Sequence, residues 1–509
     1  MMYNVTIGLE VHCEVKTNSK NFSSAKNSYS EYPNEFIDTI DIGLPGILPV
    51  ANKEAFRKSL MMALALNCKT PDIVMFDRKN YYYPDLPKGY QITQMEKPVG
   101  VDGYVMINVD GKDLKIGIHD IHLEEDTASM EHFSDYSLLD YNRAGVPLLE
   151  TVTTPSIHSA DEAIAFLETL KGIFLYTGVS AARTDRGQMR VDVNISLSKD
   201  EKLGTRTEMK NINSFNSVRL AIETEIKRQT EILENGGEII QETRRFDEEK
   251  METIAMRSKA DAVDYKYYIE PNIPPIKIED SWIEEIKKDI PMLQFDRIQK
   301  YMNEYELSRY DSTIIVKDKK VSDYFEETIN LGCNPKSSAN WITSTILGYL
   351  NKNDLKITDI FLTPKMLVEL IEMVDTGKIS SKQSKQVFTK CIEERVEPSK
   401  VVKELGMTQI TDDKTIRDIV VKVLDEHPDL IEDHRKGKNT FDFFVGQVMK
   451  ATRGQANPGL TANIIKEEIE KRWLTIISQV IFFKNLKKIF VPRQKDFKNR
   501  IFKILWRGI

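Results

Sequence analysis

The sequence predicts an α+β chain: an N-terminal domain built on an antiparallel or mixed sheet, followed by all-α C-terminal domains. Three observations predict it. Up to about residue 290, strictly alternating apolar and polar runs recur between Gly, Pro and Asn turns. From about residue 295 the apolar period lengthens to that of a helix. No internal repeat and no long low-complexity linker interrupts either part.

The first strand is Ile7-Gly-Leu-Glu-Val-His-Cys-Glu-Val. It sends Ile7, Leu9, Val11, Cys13 and Val15 one way and Glu10, His12 and Glu14 the other. In Ile121-His-Leu-Glu-Glu-Asp a continued strand would bring His122, Glu124 and Asp126 together. Met189-Arg-Val-Asp-Val-Asn-Ile-Ser-Leu puts Arg190, Asp192, Asn194 and Ser196 on one face. Glu208-Met-Lys-Asn-Ile-Asn-Ser-Phe joins a strand to a helix, with Ser214 or Asn213 as cap and Phe215, Val218, Ile222 and Ile226 as the buried stripe. Further on, Phe441, Phe444, Val445, Val448 and Met449 form the stripe of one helix, and Asn457-Pro458 opens the next, which buries Leu460, Ile464, Ile465 and Ile469. Asp375-Thr-Gly-Lys-Ile-Ser-Ser-Lys reads as a connector between helices.

The 509 residues suffice for two to four domains, and 41% hydrophobic with 29% charged residues is the balance of a soluble globular protein. Cys13, Cys68, Cys333 and Cys391 have no C-x-x-C spacing, so neither a disulfide framework nor a zinc ribbon is expected, and a reducing cytoplasm fits. No export signal and no membrane span are expected. A net charge of −7 does not announce a nucleic-acid binder. It is unevenly spread: Trp473 to Ile509 carries nine Lys/Arg against one Asp, which leaves −15 on the rest. A polyanionic partner would therefore need local basic patches.

If the three alternating strands share a sheet, its polar side is an acidic floor. A single such strand reads first as the solvated face of an antiparallel sheet. Three features favour a site. The face carries Asp, Glu, His and Asn with few Thr, Lys or Gln; Glu124-Glu125-Asp126 repel one another unless a cation relieves them; and Arg143, Arg190 and Lys210 lie in nearby motifs. Carboxylates with imidazole suit Mg²⁺, which is commonly shared with substrate phosphates. Zinc is disfavoured: His119 and His122, three apart on a strand, would face opposite ways, and there is no HExxH. Neither GxxxxGK[ST] nor GxGxxG occurs, so a nucleotide site here must be of the metal-and-sheet kind. Asp77-Arg-Lys-Asn-Tyr-Tyr-Tyr-Pro-Asp-Leu-Pro-Lys-Gly-Tyr mixes cations and aromatics, as a phosphate-and-base surface does, or as a loop packing its own small core does. Lys210, Asn211 and Asn213 are expected near a helix N-terminus, a favourable place for anionic groups.

Several of these runs together resemble the B subunits of the aspartyl/glutamyl-tRNA amidotransferases. They are Ile7-Gly-Leu-Glu-Val-His, Phe76 to Gln91, His122-Leu-Glu-Glu-Asp, Asp140-Tyr-Asn-Arg-Ala-Gly-Val-Pro-Leu-Leu-Glu, Lys210-Asn-Ile-Asn-Ser-Phe, Gln241-Glu-Thr-Arg-Arg-Phe-Asp, Asp264-Tyr-Lys-Tyr-Tyr-Ile-Glu-Pro and Gly446 to Pro458. The match runs in order from about residue 3 to Arg472. It implies a cradle domain over 1–292 related to the glutamine synthetase catalytic fold. A helical domain over 293–397, a tRNA-gripping helical tail over 398–472 and an atypical basic extension over 473–509, expected to pack poorly, complete the chain. It also implies a reaction: ATP phosphorylates the side-chain carboxylate of Glu-tRNA(Gln) or Asp-tRNA(Asn), and ammonia released from glutamine by an amidase (A) subunit displaces the phosphate. The pair is braced by a small C subunit.

By resemblance, Glu10, His12, Glu124 and Glu150 are the expected Mg²⁺ ligands; Glu125, Asp192, Arg143 and Lys79 are the expected phosphate or substrate contacts. Lys210, Asn213 and Arg190 are the expected nucleotide-binding residues. One departure stands out. Many members bind zinc through an F-C-x-C … C-P-x-C hairpin; this chain has Phe22-Ser23-Ser24-Ala25 and Asp38-Thr39-Ile40-Asp41 there, so no structural zinc is expected and Asp38 and Asp41 need a polar or solvated setting. The rival readings are a small-molecule carboxylate–amine ligase, for which the tyrosine loop and helical tail are superfluous, and a non-catalytic tRNA scaffold, which would not need the intact acidic set.

Overall fold

The structure is a computed structural model that describes residues 3–200, 202–212, 214–258, 264–407, 412–435, 438, 440–452 and 455–489. The chain is a mixture of helix and strand, 44% and 21%, with a large N-terminal sheet and a helical C-terminal region. It divides into two compact units, Met1–Lys319 and Lys320–Ile509.

The first unit is organised by an eight-stranded sheet. Across it the strands run Glu252–Ser258, Glu242–Asp247, Thr207–Ile212, Met189–Ser198, Asn4–Glu14, Pro147–Thr153, Lys112–Glu125 and Gly100–Val109. Every neighbouring pair is antiparallel except Thr207–Ile212 with Glu242–Asp247, which is parallel, so the sheet is mixed. Alternation along the central strands has the predicted effect. Ile7, Leu9, Val11, Cys13, Met189, Val191, Val193, Ile195 and Leu123 are all buried in one core with helices Lys53–Ala65, Ala160–Thr177 and Phe215–Glu234. Burying one such aliphatic side chain is worth about 1.5–3 kcal/mol, so this face fixes the strand register. Ser214 caps the last of these helices, its hydroxyl accepting from the Ser217 amide, and Val218 and Ile222 are buried as expected.

A three-stranded sheet, Tyr268–Ile269, Asp77–Asn80 and Tyr90–Thr93, lies beside the end of the Lys112–Glu125 strand. Helices Gln294–Glu304 and Arg309–Val316 belong to this first unit.

The segments that hold Ser23, Ser24, Asp38 and Asp41 are tied by side chains. Asp41 accepts from the Lys20 ammonium at 3.0 Å and from the Ser23 hydroxyl at 3.2 Å, and Asp38 accepts from Ser24 at 2.8 Å. Lys20 also donates to the Tyr141 carbonyl at 3.1 Å, and both Lys20 and Asp41 are buried. Asp41 thus has its polar setting, in the interior and not in solvent. Gly145 turns at φ +80°, where an added Cβ would come within 2.5 Å of Asp41 Oδ1, so this turn fits only glycine.

The second unit is helical. Asp375 to Ser380 connects helices Pro364–Asp375 and Ser381–Glu394 as expected. Helices Asp413–Glu426, Phe441–Ala451 and Pro458–Ile489 share a core of Ile416, Val420, Phe444, Val448, Ile464 and Ile465. Asn457 accepts from the Leu460 amide at 3.0 Å and starts the Pro458–Ile489 helix. That helix carries the backbone of the basic extension on from Trp473 to Ile489; residues 490–509 lie outside the described residues. Among the described residues no helix is long and apolar enough to cross a membrane.

Candidate functional site

The register of the central strands stacks the polar face into ranks. His122, Glu150, His12 and Arg190 stand side by side on four neighbouring strands. One step along, Asp120, Val152, Glu10 and Asp192 form the next rank, and Glu124, Leu148 and Glu14 flank the first on its other side. Three of the expected residues, Glu150, His12 and Arg190, therefore share one rank because neighbouring strands hold one register.

Glu150 is the centre. One of its oxygens, Oε2, lies 3.3 Å from His12 Nε2 and 3.1 Å from His122 Nε2. Glu124 Oε1 is 3.9 Å from His12 Nε2. Burial pushes the Glu150 carboxyl up, but His12 and His122 outweigh it and hold it well below the usual carboxylate range. Burial likewise pulls His12 down, yet Glu150 and then Glu124 raise it to about 9. His122 is raised well above its ordinary value by Glu150 and by its bond to Asp120. Glu124 is raised, by burial first and Glu150 second. His12, Glu124 and Glu150 present one donor each, all within 4.8 Å of one another. That spacing can close on a hard cation with ligand distances of about 2.1 Å.

Glu10 is separated from this trio. It groups with Asp192 and Glu208, again within 4.8 Å, and accepts from Asn194 at 2.9 Å. Lys210 lies on the Thr207–Ile212 strand, not at the helix start, and its ammonium pairs with Asp192 at 3.2 Å and Glu208 at 3.0 Å. Burial lowers Lys210, but Asp192 and Glu208 raise it above the usual lysine range. Asn194 Oδ1 is buried without a hydrogen-bond partner.

The continued strand expected through Asp126 ends at Glu125. Asp126 turns aside to accept from Arg190 at 2.7 Å and to pair with Arg143 at 3.5 Å. Arg143 also donates to the carbonyls of Thr127 and Ala128, both at 2.9 Å. Glu125 points away from the floor: it accepts from Lys88 at 2.6 and 2.5 Å and from the Ile92 amide at 2.9 Å. Its position beside Leu123 in the alternation explains this, and a direct substrate contact by Glu125 does not fit. Lys79 reaches toward the floor; burial lowers it, while Glu124, Tyr267 and Glu150 raise it. Asn213 lies outside the described residues.

Glu208, His122 and Asp120 belong to the site but stand outside the expected ligand, contact and nucleotide-binding residues. Glu208 is two residues from Lys210 on one strand, and His122 two from Glu124; the same alternation marks both. Asp120 Oδ1 bonds His122 at 2.8 Å, and its other oxygen takes His119 at 2.7 Å. The ladder is irregular between Ile118 and Asp120, which lets both rings meet one carboxylate despite their spacing.

A family model described as the GatB/GatE catalytic domain matches residues 5–284, and one described as the GatB domain matches residues 323–469. A protein of Geobacillus thermodenitrificans (strain NG80-2), named as the B subunit of an aspartyl/glutamyl-tRNA(Asn/Gln) amidotransferase, is 47% identical over 476 residues, 93% of this chain and 100% of the relative. Proteins of the same name from Geobacillus kaustophilus (strain HTA426) and Halalkalibacterium halodurans are 47% and 46% identical over the same shares.

Proposed function

The chain belongs to the GatB/GatE family of amidotransferase B subunits, and from that premise we propose how its own residues carry the reaction. Its role is that of the B subunit of a glutamine-dependent C–N ligase that forms Gln-tRNA and Asn-tRNA. In our reading the cradle uses ATP and Mg²⁺ to phosphorylate the side-chain carboxylate of Glu-tRNA(Gln), Asp-tRNA(Asn) or both. The observation that carries it is the trio His12, Glu124 and Glu150, three donors within 4.8 Å on a floor facing Lys79.

His12, Glu124 and Glu150 would hold the ion; the trio of Glu10, Asp192 and Glu208 is already shared with Lys210, although the orphaned Asn194 Oδ1 beside it suits a cation as well. A bound Mg²⁺ supplies charge neutralisation on phosphate oxygens. Lys79 offers its ammonium to the phosphoryl group in transit, where a fixed cation lowers the barrier most. The substrate carboxylate oxygen attacks the terminal phosphorus and ADP leaves. Ammonia then attacks the carbonyl carbon, loses a proton, and phosphate departs. Arg190 and Arg143, fixed by Asp126, and Lys210, fixed by Asp192 and Glu208, keep cations around the anionic substrate.

We place the partners as an amidase A subunit and a small C subunit, with the 398–472 helices on the tRNA body, in the cytoplasm where aminoacyl-tRNAs are used. The relation of the cradle to glutamine synthetase is supported by its large sheet with acids on the polar face. The test combines the chain with its companion subunits, ATP, Mg²⁺ and mischarged tRNA, with ammonium in place of glutamine. ATP cleavage should depend on the mischarged tRNA; cleavage indifferent to it overturns the reading.

A further inference from the structure

Four tyrosines at the lip of the floor are exposed: Tyr82 by 91%, Tyr83 by 59%, Tyr267 by 40% and Tyr268 by 48%. They come from two backbone segments brought together by pairing of Tyr268 with Arg78. Beneath them, Tyr81 and Tyr265 meet edge to face with ring centres 5.8 Å apart, and the Lys79 ammonium stands 5.0 Å over Tyr265. Tyr81 and Tyr265 are thus the loop's own small core. Tyr82 stands outside it, almost fully exposed, with its ring against Gly89, where a Cβ would approach it to 3.1 Å. Cations are interleaved. The Arg78 guanidinium lies 4.0 Å over the Tyr90 ring and 5.6 Å from that of Tyr268, and is anchored on buried Glu270. The lip is tied to the floor through Thr93, whose hydroxyl donates to Glu124 at 3.3 Å.

Exposed rings beside fixed cations, at the edge of a site that handles phosphate, are the chemistry of single-stranded nucleic acid: bases stack and phosphates pair. Four rings on two segments offer more stacking surface than one adenine uses. We propose that Tyr82, Tyr83, Tyr267 and Tyr268 are a stacking platform for the unpaired 3′ nucleotides of the aminoacyl-tRNA, which hold the esterified amino acid over His12, Glu124 and Glu150. This rests on the function proposed above and adds where the RNA end lies.

The test is a competition assay without ATP on the assembled complex. Intact tRNA and tRNA lacking its unpaired 3′ nucleotides compete for labelled mischarged tRNA. In the Tyr82→Ala and Tyr268→Ala complexes, affinity for intact tRNA should fall roughly 5- to 100-fold per ring. Affinity for the truncated tRNA should hold, and Tyr82→Phe and Tyr268→Phe should behave as wild type. Equal losses for both RNAs, or no loss, overturn the proposal. So does a raised KM for ATP with tRNA binding intact, which would assign the rings to adenine. Failure of the functional reading is seen separately, as tRNA-independent ATP cleavage by the wild-type complex.

Discussion

Lys88 grips both oxygens of Glu125, at 2.6 and 2.5 Å, and so fastens the tyrosine-bearing loop to the last residue of the Lys112–Glu125 strand. Both side chains are nearly buried. Breaking a buried pair by removing one partner costs about 3–5 kcal/mol. Glu125→Ala should therefore lower the melting temperature of the first unit. A Glu125→Ala protein that melts like wild type but has lost activity would return Glu125 to the reaction.

Glu150→Gln should behave in the opposite way. It keeps the shape of the side chain but removes the charge shared by His12 and His122. Ammonium-driven amidation should fall at least about 100-fold with folding intact, the scale of losing one charged contact to the transition state. Circular dichroism and a single-turnover assay on the same sample separate the two effects.

Acid stability has a named contributor remote from the site. Glu225 is buried and accepts from Arg228 at 2.9 and 2.6 Å, Gln229 at 2.9 Å and Thr253 at 2.7 Å. Burial pushes its carboxyl up, but these donors outweigh it and leave it below the usual value. A folded-state value below the unfolded one means that protons favour unfolding. The stabilisation is complete above the ordinary carboxylate range and is lost as pH falls through the folded value. Glu225→Gln should flatten the acid limb of the stability curve and leave its slope at neutral pH unchanged; an unaltered acid limb would exclude Glu225 as its source.

The hairpin joined by Lys20 and Asp41 should not need a metal. A strong chelator should leave the melting temperature of the chain unchanged, and metal analysis of the purified protein should find no stoichiometric zinc. Lys20→Met strands Asp41 in the interior and should cost about 3–5 kcal/mol, whereas the double change with Asp41→Leu should recover much of it. Zinc-dependent melting would remove the ion pair from this role.

The floor is legible in the sequence because a strand has period two. One apolar residue in every pair identifies its partner as a floor residue, which is how Glu10, His12, Glu124 and Asp192 are found. Which floor residues touch is not legible, because that depends on neighbouring strands distant in sequence: His12 meets Glu150 and Arg190 through two separate pairings. That is why the sequence sets Glu10 beside His12, while in space it meets Asp192 and Glu208. Glu125 misleads for another reason. Three successive acids suggest a shared cation, but alternation sends the middle one to the apolar side, where a lysine of a different loop meets it.

The ranks of side chains across the sheet also decide how this site can change over time. Every member of a rank is located by backbone hydrogen bonds that the core residues between them enforce. Inserting or deleting a single residue in the Asn4–Glu14 strand would invert it, turning Glu10 and His12 into the interior and Leu9 and Val11 toward water. Such a chain fails to fold before it can fail to react. Length changes are thus barred from these strands and free only in the loops, so a shift in the choice of tRNA or amino acid has to be written at the rim while the grid beneath stays constant in pitch.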